Sequence, residues 1–274
     1  MDANLKKTLI KVEEAAQKGA QIICLQELYH TKYFPQIEKE QQIDIQKYAE
    51  TIPGKSTRAF SELAKKYQTV IIVPLFERAT DGKFYNSAAV IDTNGLLLKT
   101  YHKIHVPQDP YFYEQEYFEL GNLAYRIYNT IYAKIAVLIC YDQWFPEAAR
   151  ICTLQGADIL FYPTAIGYIK DHTSADGNWQ EAWQTVQRGH AIANGIHIAA
   201  VNRVGNEEEL EFWGNSFVCN AFGNIIAQAG SKEETLIVPI DIAFNKRIRD
   251  GWGFLKNRRP DTYSPLTENP HRSK

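Results

Sequence analysis

Three side chains suited to acyl transfer stand at comparable places along this 274-residue chain. The apolar run Ile135 to Ile139 delivers Cys140 to its end, Tyr141-Asp142-Gln143 makes a tight junction, and Trp144 to Arg150 reads as the start of a helix. Asp142 suits the N-cap of that helix and Glu147 its dipole. A thiol at such a junction meets unsatisfied backbone N–H groups and a positive dipole end, which favour thiolate. Glu27 closes the first apolar run, and Lys103 follows a hairpin strand. In layered α/β proteins reactive groups gather outside strand ends. A carboxylate, a lysine and a thiol gathered there would serve as base, oxyanion stabiliser and nucleophile. Each residue also has a plain structural role open to it: Cys140 as a small buried hydrophobe, Glu27 as a helix cap, Lys103 as a solvated cation.

The elements that must carry these residues follow from periodicity and turn chemistry. Leu5, Leu9, Val12 and Ala16 have amphipathic helical spacing over Ala3 to Lys18, with Gly19 as the stop. Ala20 to Leu25 then reads as a short buried strand, a mainly polar segment runs on to Tyr48, Ser56 to Lys66 is a second helix, and Thr69 to Phe76 a second strand. Asn86 to Ile91 and Leu96 to Tyr101 flank an Asn-Gly turn. Ala124 to Tyr128 and Ala133 to Cys140 form another strand pair, and Ala157 to Tyr162 ends at Pro163. Trp179 to Asn194 is a helix stopped by Gly195. Ile196 to Val204, Phe212 to Ala221, Asn224 to Ala229 and Glu234 to Asp241 complete the strands. The segment from Lys246 is a basic, packed tail. Hairpins interrupt the alternation of helix and strand, so the fold class is α/β with two mixed sheets covered by helices. No repeat or low-complexity linker divides the chain, which is expected to form one domain over residues 1–274.

Composition narrows the class of function. A net charge of −2 gives no reason to expect a nucleic acid or membrane-surface partner. No apolar stretch reaches the roughly 20 residues of a membrane span. Cys24, Cys140, Cys152 and Cys219 are widely spaced and show no CxxC, so no disulfide framework is expected; with no secretory leader ahead of the first helix, the chain reads as cytoplasmic. His102, His105, His190 and His197 do not have the spacing of a zinc site, and no metal is expected.

The segments LQELY around Glu27, YHKIHVP around Lys103 and ICYDQWFPEAAR around Cys140 resemble the three signature segments of the nitrilase superfamily, the carbon–nitrogen hydrolases. The likeness continues through GADILFYPTAIG, HAIANGIHIAAVNRVG, FWGNSFV and WGFLKNRRPDTY, and so spans nearly the whole chain. It implies a four-layer αββα sandwich and a Glu-Lys-Cys triad with no cofactor. Carried across, Glu27 is the general base, Lys103 holds the oxyanion and Cys140 attacks; Glu114 is the second glutamate, and the backbone N–H of Tyr141 completes the oxyanion hole. DQWFPEAAR and FYPTAIG most resemble the branch that hydrolyses N-carbamoylputrescine to putrescine, carbon dioxide and ammonia in polyamine biosynthesis. A carboxylate-bearing ureido acid or ω-amide, as in β-ureidopropionase or ω-amidase, is the neighbouring possibility, and a non-catalytic scaffold a more distant one. The resemblance also implies that the tail joins subunit contacts, giving a homodimer or larger assembly.

A carbamoyl amine carries a distal ammonium, which calls for a carboxylate or aromatic faces. Asp171 and Asp176, after the Thr164–Gly167 turn, are the expected carboxylates, with Tyr33, Tyr111, Phe112, Tyr113 and Trp144 lining the rest. The acidic residue that plant relatives place just after this turn corresponds to Ile169, so amine recognition is expected to differ in detail. Arg150 and Arg203 are the arginines a carboxylate substrate would need, and Arg150 reads as structural. The resemblance further implies a strand of the form VALIQ ahead of the first helix, whereas this sequence starts at that helix. The expectation is an exposed sheet edge and a partly opened core.

Overall fold

The computed structural model describes residues 2–41 and 45–268, so the polar run before Tyr48 and the end of the tail fall partly outside it. In chain order the elements are α1 (Asp2–Gln17), β1 (Ile22–Cys24), α2 (Lys55–Tyr67), β2 (Val70–Arg78), β3 (Phe84–Ile91), β4 (Tyr101–His102), β5 (Tyr128–Asn129) and β6 (Lys134–Val137). Then come α3 (Pro146–Leu154), β7 (Ile159–Pro163), β8 (Gly167–Ile169), α4 (Trp179–Asn194), β9 (His197–Val201), β10 (Val204–Glu207), β11 (Leu210–Trp213), β12 (Phe217–Cys219), β13 (Ile225–Gln228) and α5 (Ile242–Trp252).

Two mixed sheets form the centre. One has the order β1-β2-β3-β4 with β1 and β2 parallel, and the other has β13-β12-β9-β7-β6-β5 with β6, β7 and β9 parallel. Alternation along β2 explains the layers. Ile71, Val73 and Leu75 meet Leu5 and Val12 of α1 and Phe60 and Ala64 of α2. Val70 and Ile72 point the other way, into a core shared with Ile135, Val137 and Phe161 of the second sheet. Beyond that sheet, Ala148 and Cys152 of α3 and Trp183 and Ala191 of α4 close the fourth layer. The result is the expected αββα sandwich. Each large aliphatic side chain withdrawn fully from water contributes about 1.5–3 kcal/mol, so these faces dominate the stability.

Several local expectations change. The junction after Cys140 is a 3-10 turn over Cys140–Trp144, and α3 begins only at Pro146. Asp142 therefore caps no α-helix; its carboxylate turns back to the N–H of Ile139 at 2.9 Å. The second arm of the Asn-Gly hairpin shrinks to the Leu97–Ile91 bridge and the two residues of β4. The basic tail contains α5, capped by Asp241 and stopped by Gly253 in the left-handed region. A small third sheet, β10-β11-β8, packs beside the loops that follow β1 and β7.

The expected strand Glu234 to Asp241 forms no ladder with any described strand. Its residues wall a groove of about 810 Å³ whose other walls include Val12 of α1, Ile22 and Ile23 of β1, and Phe161 and Ala199 of the second sheet. Among the described residues nothing pairs with the outer edge of β1. Val70 N–H donates to Gln21 and Leu25 N–H to Ile72, which fixes the phase of the parallel ladder. The amides of Ile22 and Cys24 consequently face the groove. Hydrogen exchange should find them at least tenfold less protected than those of Ile23 and Leu25; equal protection would show that the edge is covered in solution.

Candidate active site

Lys103 stands at the centre of the site. It follows β4, its N–H held by the Asn86 carbonyl at 2.9 Å and its carbonyl taken by Gly121 N–H at 2.8 Å. A Cβ on Gly121 would meet backbone oxygens of His102 and Lys103 at 2.4 and 2.6 Å, so only glycine allows this approach. The Lys103 ammonium donates to Glu27 Oε1 at 2.9 Å and to Glu114 Oε2 at 2.6 Å. All three side chains are fully buried. Asn86 Nδ2 donates to the same Glu27 oxygen at 2.7 Å, and the Tyr33 hydroxyl donates to Glu114 Oε1 at 2.7 Å. Glu27 Oε2 is buried without a partner, leaving an open lone pair where a base must receive a proton.

Glu27 owes its position to Arg203. This buried guanidinium donates to the carbonyls of Thr31, Glu27 and Leu28 at 3.0, 3.2 and 2.9 Å, and pairs with Glu207 at 2.6 Å. Leu28 adopts a φ of 47°, so the clamp also holds a strained turn. Arg203 is thus spent inside the scaffold. Arg150 likewise donates to the Ala193 carbonyl between α3 and α4, the structural role expected of it.

Cys140 sits at φ 44°, in the left-handed region that costs a non-glycine residue about 1–2 kcal/mol. Asp142 holds the bend. Besides Ile139, its carboxylate accepts the His105 N–H at 3.0 Å, the Tyr101 hydroxyl at 2.7 Å and His105 Nδ1 at 2.7 Å. Gln143 anchors the same turn to α4, accepting from Trp183 Nε1 at 2.8 Å, and its carbonyl meets His190 Nε2 at 2.8 Å. Tyr141 N–H lies in the first turn of the 3-10 segment, where helical geometry supplies no acceptor. With Lys103 it forms a pair of donors suited to an oxyanion.

Burial pushes the Cys140 thiol well above its ordinary pKa, the Glu27 charge adds to this, and Lys103 opposes it. The sequence-based expectation of a resting thiolate is therefore reversed: the local turn is too short for a strong dipole, and two carboxylates surround one ammonium. Burial alone would lower the Lys103 pKa, but Glu114 and Glu27 outweigh it and hold the ammonium above the usual lysine range. Burial raises the Glu114 pKa, and Lys103 works against that rise.

A pocket of about 290 Å³ opens onto Cys140 and Glu114. Phe112, Tyr141, Trp144 and Trp179 give it aromatic walls, Ile166 and Ile169 aliphatic ones, and Asp109 stands between Pro107 and Pro110. Of the expected lining residues, Trp144 and Phe112 are present. Tyr33 lies behind the wall on Glu114, and Tyr111 and Tyr113 line none of it. Asp171 and Asp176 are also absent from the wall; both are exposed, and Asp176 accepts from Thr173 N and Oγ1, each at 2.9 Å. Their loop folds on itself and so turns its acids to solvent. Asn86, Asp109 and Trp179 were missed from sequence, although an asparagine inside the apolar strand FYNSAAVI was a visible signal. Among the described residues no cluster of histidine, cysteine and acidic side chains could hold a metal ion.

The carbon-nitrogen hydrolase family profile matches residues 1–250, and the chain belongs to that family. Within it, the chain is 43% identical over 265 residues to an N-carbamoylputrescine amidase of Solanum lycopersicum, covering 93% of this chain and 86% of that protein. A citrullinase of Francisella tularensis is 38% identical, with 96% of this chain and 92% of that one covered. A carbon-nitrogen hydrolase from Helicobacter pylori G27 superposes with a TM-score of 0.91 at 39% identity, over 98% of this chain and 94% of that one.

A buried thiol facing a carboxylate should carry no resting charge. The ultraviolet difference spectrum between wild type and Cys140→Ala should show no thiolate band at neutral pH, with one emerging only above about pH 9. A thiolate band at neutral pH would contradict this balance of charges around Sγ.

Proposed function

We propose that the protein hydrolyses N-carbamoylputrescine to putrescine, carbon dioxide and ammonia. The observation that carries this reading is the cluster of Cys140 with Glu27, Lys103 and Glu114 at a pocket whose wall includes a carboxylate but no arginine or lysine. Similarity to the N-carbamoylputrescine amidases supports the same substrate. A ureido acid or ω-amide would place a carboxylate in this pocket with no lining arginine or lysine to meet it, and the buried Arg203 is already committed to backbone carbonyls.

In the proposed cycle Glu27 takes the Cys140 proton as Sγ attacks the ureido carbon. The carbonyl electrons move onto oxygen, which Lys103 and Tyr141 N–H stabilise. Collapse of this intermediate breaks a C–N bond, and Glu27 returns the proton to the departing nitrogen, leaving an S-carbamoyl enzyme. Water then gives a proton to Glu27 and attacks the same carbon; Sγ leaves and is reprotonated, and the released carbamate decomposes. Strong oxyanion stabilisation is required because two nitrogens feed electron density into the ureido carbonyl, and losing one such donor typically costs ~10²–10³ in rate. Glu114 keeps Lys103 in place and charged, and no metal or organic cofactor enters the cycle.

The assembly we propose is a homodimer or larger, supported by an exposed apolar patch at the tail. Phe222, Trp252 and Phe254 pack in series as tilted rings, with centroids 5.5 and 5.7 Å apart. A cytoplasmic location fits four unpaired cysteines, and no described helix is long and apolar enough to cross a membrane.

Ammonia release from N-carbamoylputrescine should exceed that from 3-ureidopropionate by at least tenfold in kcat/KM, and a preference for the acid would overturn the substrate assignment. Cys140→Ala should lose turnover with its melting temperature preserved; measurable turnover by the folded variant would refute the nucleophile. The acid limb of kcat/KM should fall at a pH above the ordinary carboxylate range. Glu114 pairs with Lys103 only when ionised, and its pKa is raised, so the pairing disappears as pH drops through that raised value.

A further inference from the structure

We infer that Asp109 is the residue that selects for the distal ammonium of the substrate, an inference that rests on the carbamoyl-amine reading above. Two carboxylates line the pocket, Asp109 and Glu114. Glu114 is fully buried and both its oxygens are engaged, one by Lys103 and one by Tyr33. Asp109 is different. No described residue donates to its carboxylate or forms an ion pair with it, so its charge is available to a ligand.

Asp109 is itself exposed, at the rim of the pocket, and the backbone fixes the point from which its side chain leaves. Asp109 begins a turn in which Phe112 N–H donates to the Asp109 carbonyl at 2.8 Å and Asp109 N–H returns to Phe112 at 3.4 Å. Pro110 fixes the second position of the turn, and Tyr111 supplies the required left-handed residue at φ 65°. A turn closed at both ends leaves the backbone with little freedom to lose on binding, so only the side-chain rotamer must be fixed. Pro107, Pro110 and Phe112 line the same pocket, so this segment supplies one of its walls.

The remaining walls suit a polymethylene chain that ends in a cation. Ile166 and Ile169 offer apolar contact near Cys140, and Trp144 and Trp179 offer the aromatic faces that favour an ammonium. Asp109 supplies the counter-charge. The acidic residues after β8 cannot do this, because neither Asp171 nor Asp176 reaches the wall. The position in β8 that does reach it is Ile169, which carries no charge.

The discriminating measurement is the ratio of kcat/KM for N-carbamoylputrescine to that for N-butylurea, which has the same ureido group and chain but no ammonium. In wild type this ratio should exceed tenfold and should fall as salt is raised, since a partly exposed ion pair is screened. Asp109→Asn should lower it by about tenfold, through KM for the charged substrate rather than kcat, and should remove most of the salt dependence. Asp109→Glu should recover part of the lost ratio. If Asp109→Asn does not fold, the salt dependence of the wild-type ratio decides alone. Wild-type turnover of N-carbamoylputrescine with a ratio that neither Asp109→Asn nor salt alters would overturn the role of Asp109 and leave the reaction standing. Absence of wild-type turnover on N-carbamoylputrescine would overturn the reaction itself, and the role of Asp109 with it.

Discussion

One buried ammonium between two carboxylates organises the active site. Removing any of these three charges from water alone would cost several kcal/mol. Together they are tolerable, because Lys103 donates to both glutamates and Asn86 and Tyr33 supply further hydrogen bonds. Burial raises the Cys140 pKa, and the one excess negative charge of this arrangement adds to that rise. In the proposed cycle Cys140 is therefore a stored thiol, deprotonated during attack by the Glu27 oxygen that lacks a partner. The same ammonium that balances the resting charges is the donor proposed for the oxyanion. On that proposal, balance at rest and stabilisation of the intermediate come from a single group.

Everything around this cluster serves to keep four chain segments in register. Glu27, Lys103 and Cys140 follow β1, β4 and β6, and Glu114 lies in a loop whose 3-10 turn spans only Glu114–Glu116. Strand pairing alone would leave the residues just beyond the strand ends loose. Arg203 removes that looseness at Glu27 by occupying three carbonyl oxygens, and Asp142 removes it at Cys140 by four contacts around one bend. Both are buried charged side chains that bind mainly the backbone and neighbouring polar groups, where their fixed geometry is worth most.

What could be read from sequence depended on whether the signal was local. Helix α4 has its cap Asn178, its apolar spacing and its stop Gly195 within one segment, and its expected limits match. That Glu27, Lys103 and Cys140 lie together was legible because each sits beside a distinctive run. Asp142 was misread because its partners, Tyr101 and His105, lie some 40 residues earlier, at separations of 41 and 37. Local propensity suggested a helix cap, but tertiary contacts claimed the side chain. The segment Glu234 to Asp241 has strand composition, yet a strand exists only where a partner offers its edge, and composition says nothing of that. Asp171 and Asp176 lie near the strand end in sequence, whereas the acids that line the pocket, Asp109 and Glu114, come from the loop after Lys103.

The small sheet β10-β11-β8 has a bearing on how such a site can diversify. One edge of it, β8, supplies Ile169 to the substrate wall. The other, β10, carries Glu207, which holds Arg203 and accepts the Tyr33 N–H at 2.6 Å. Glu208, just beyond, receives Gln36 and Lys32. A single three-stranded unit therefore lines the pocket on one side and steadies the loop that follows Glu27 on the other. The pocket wall at Ile169 and the placement of Glu27 thus share one support, the ladder through β11.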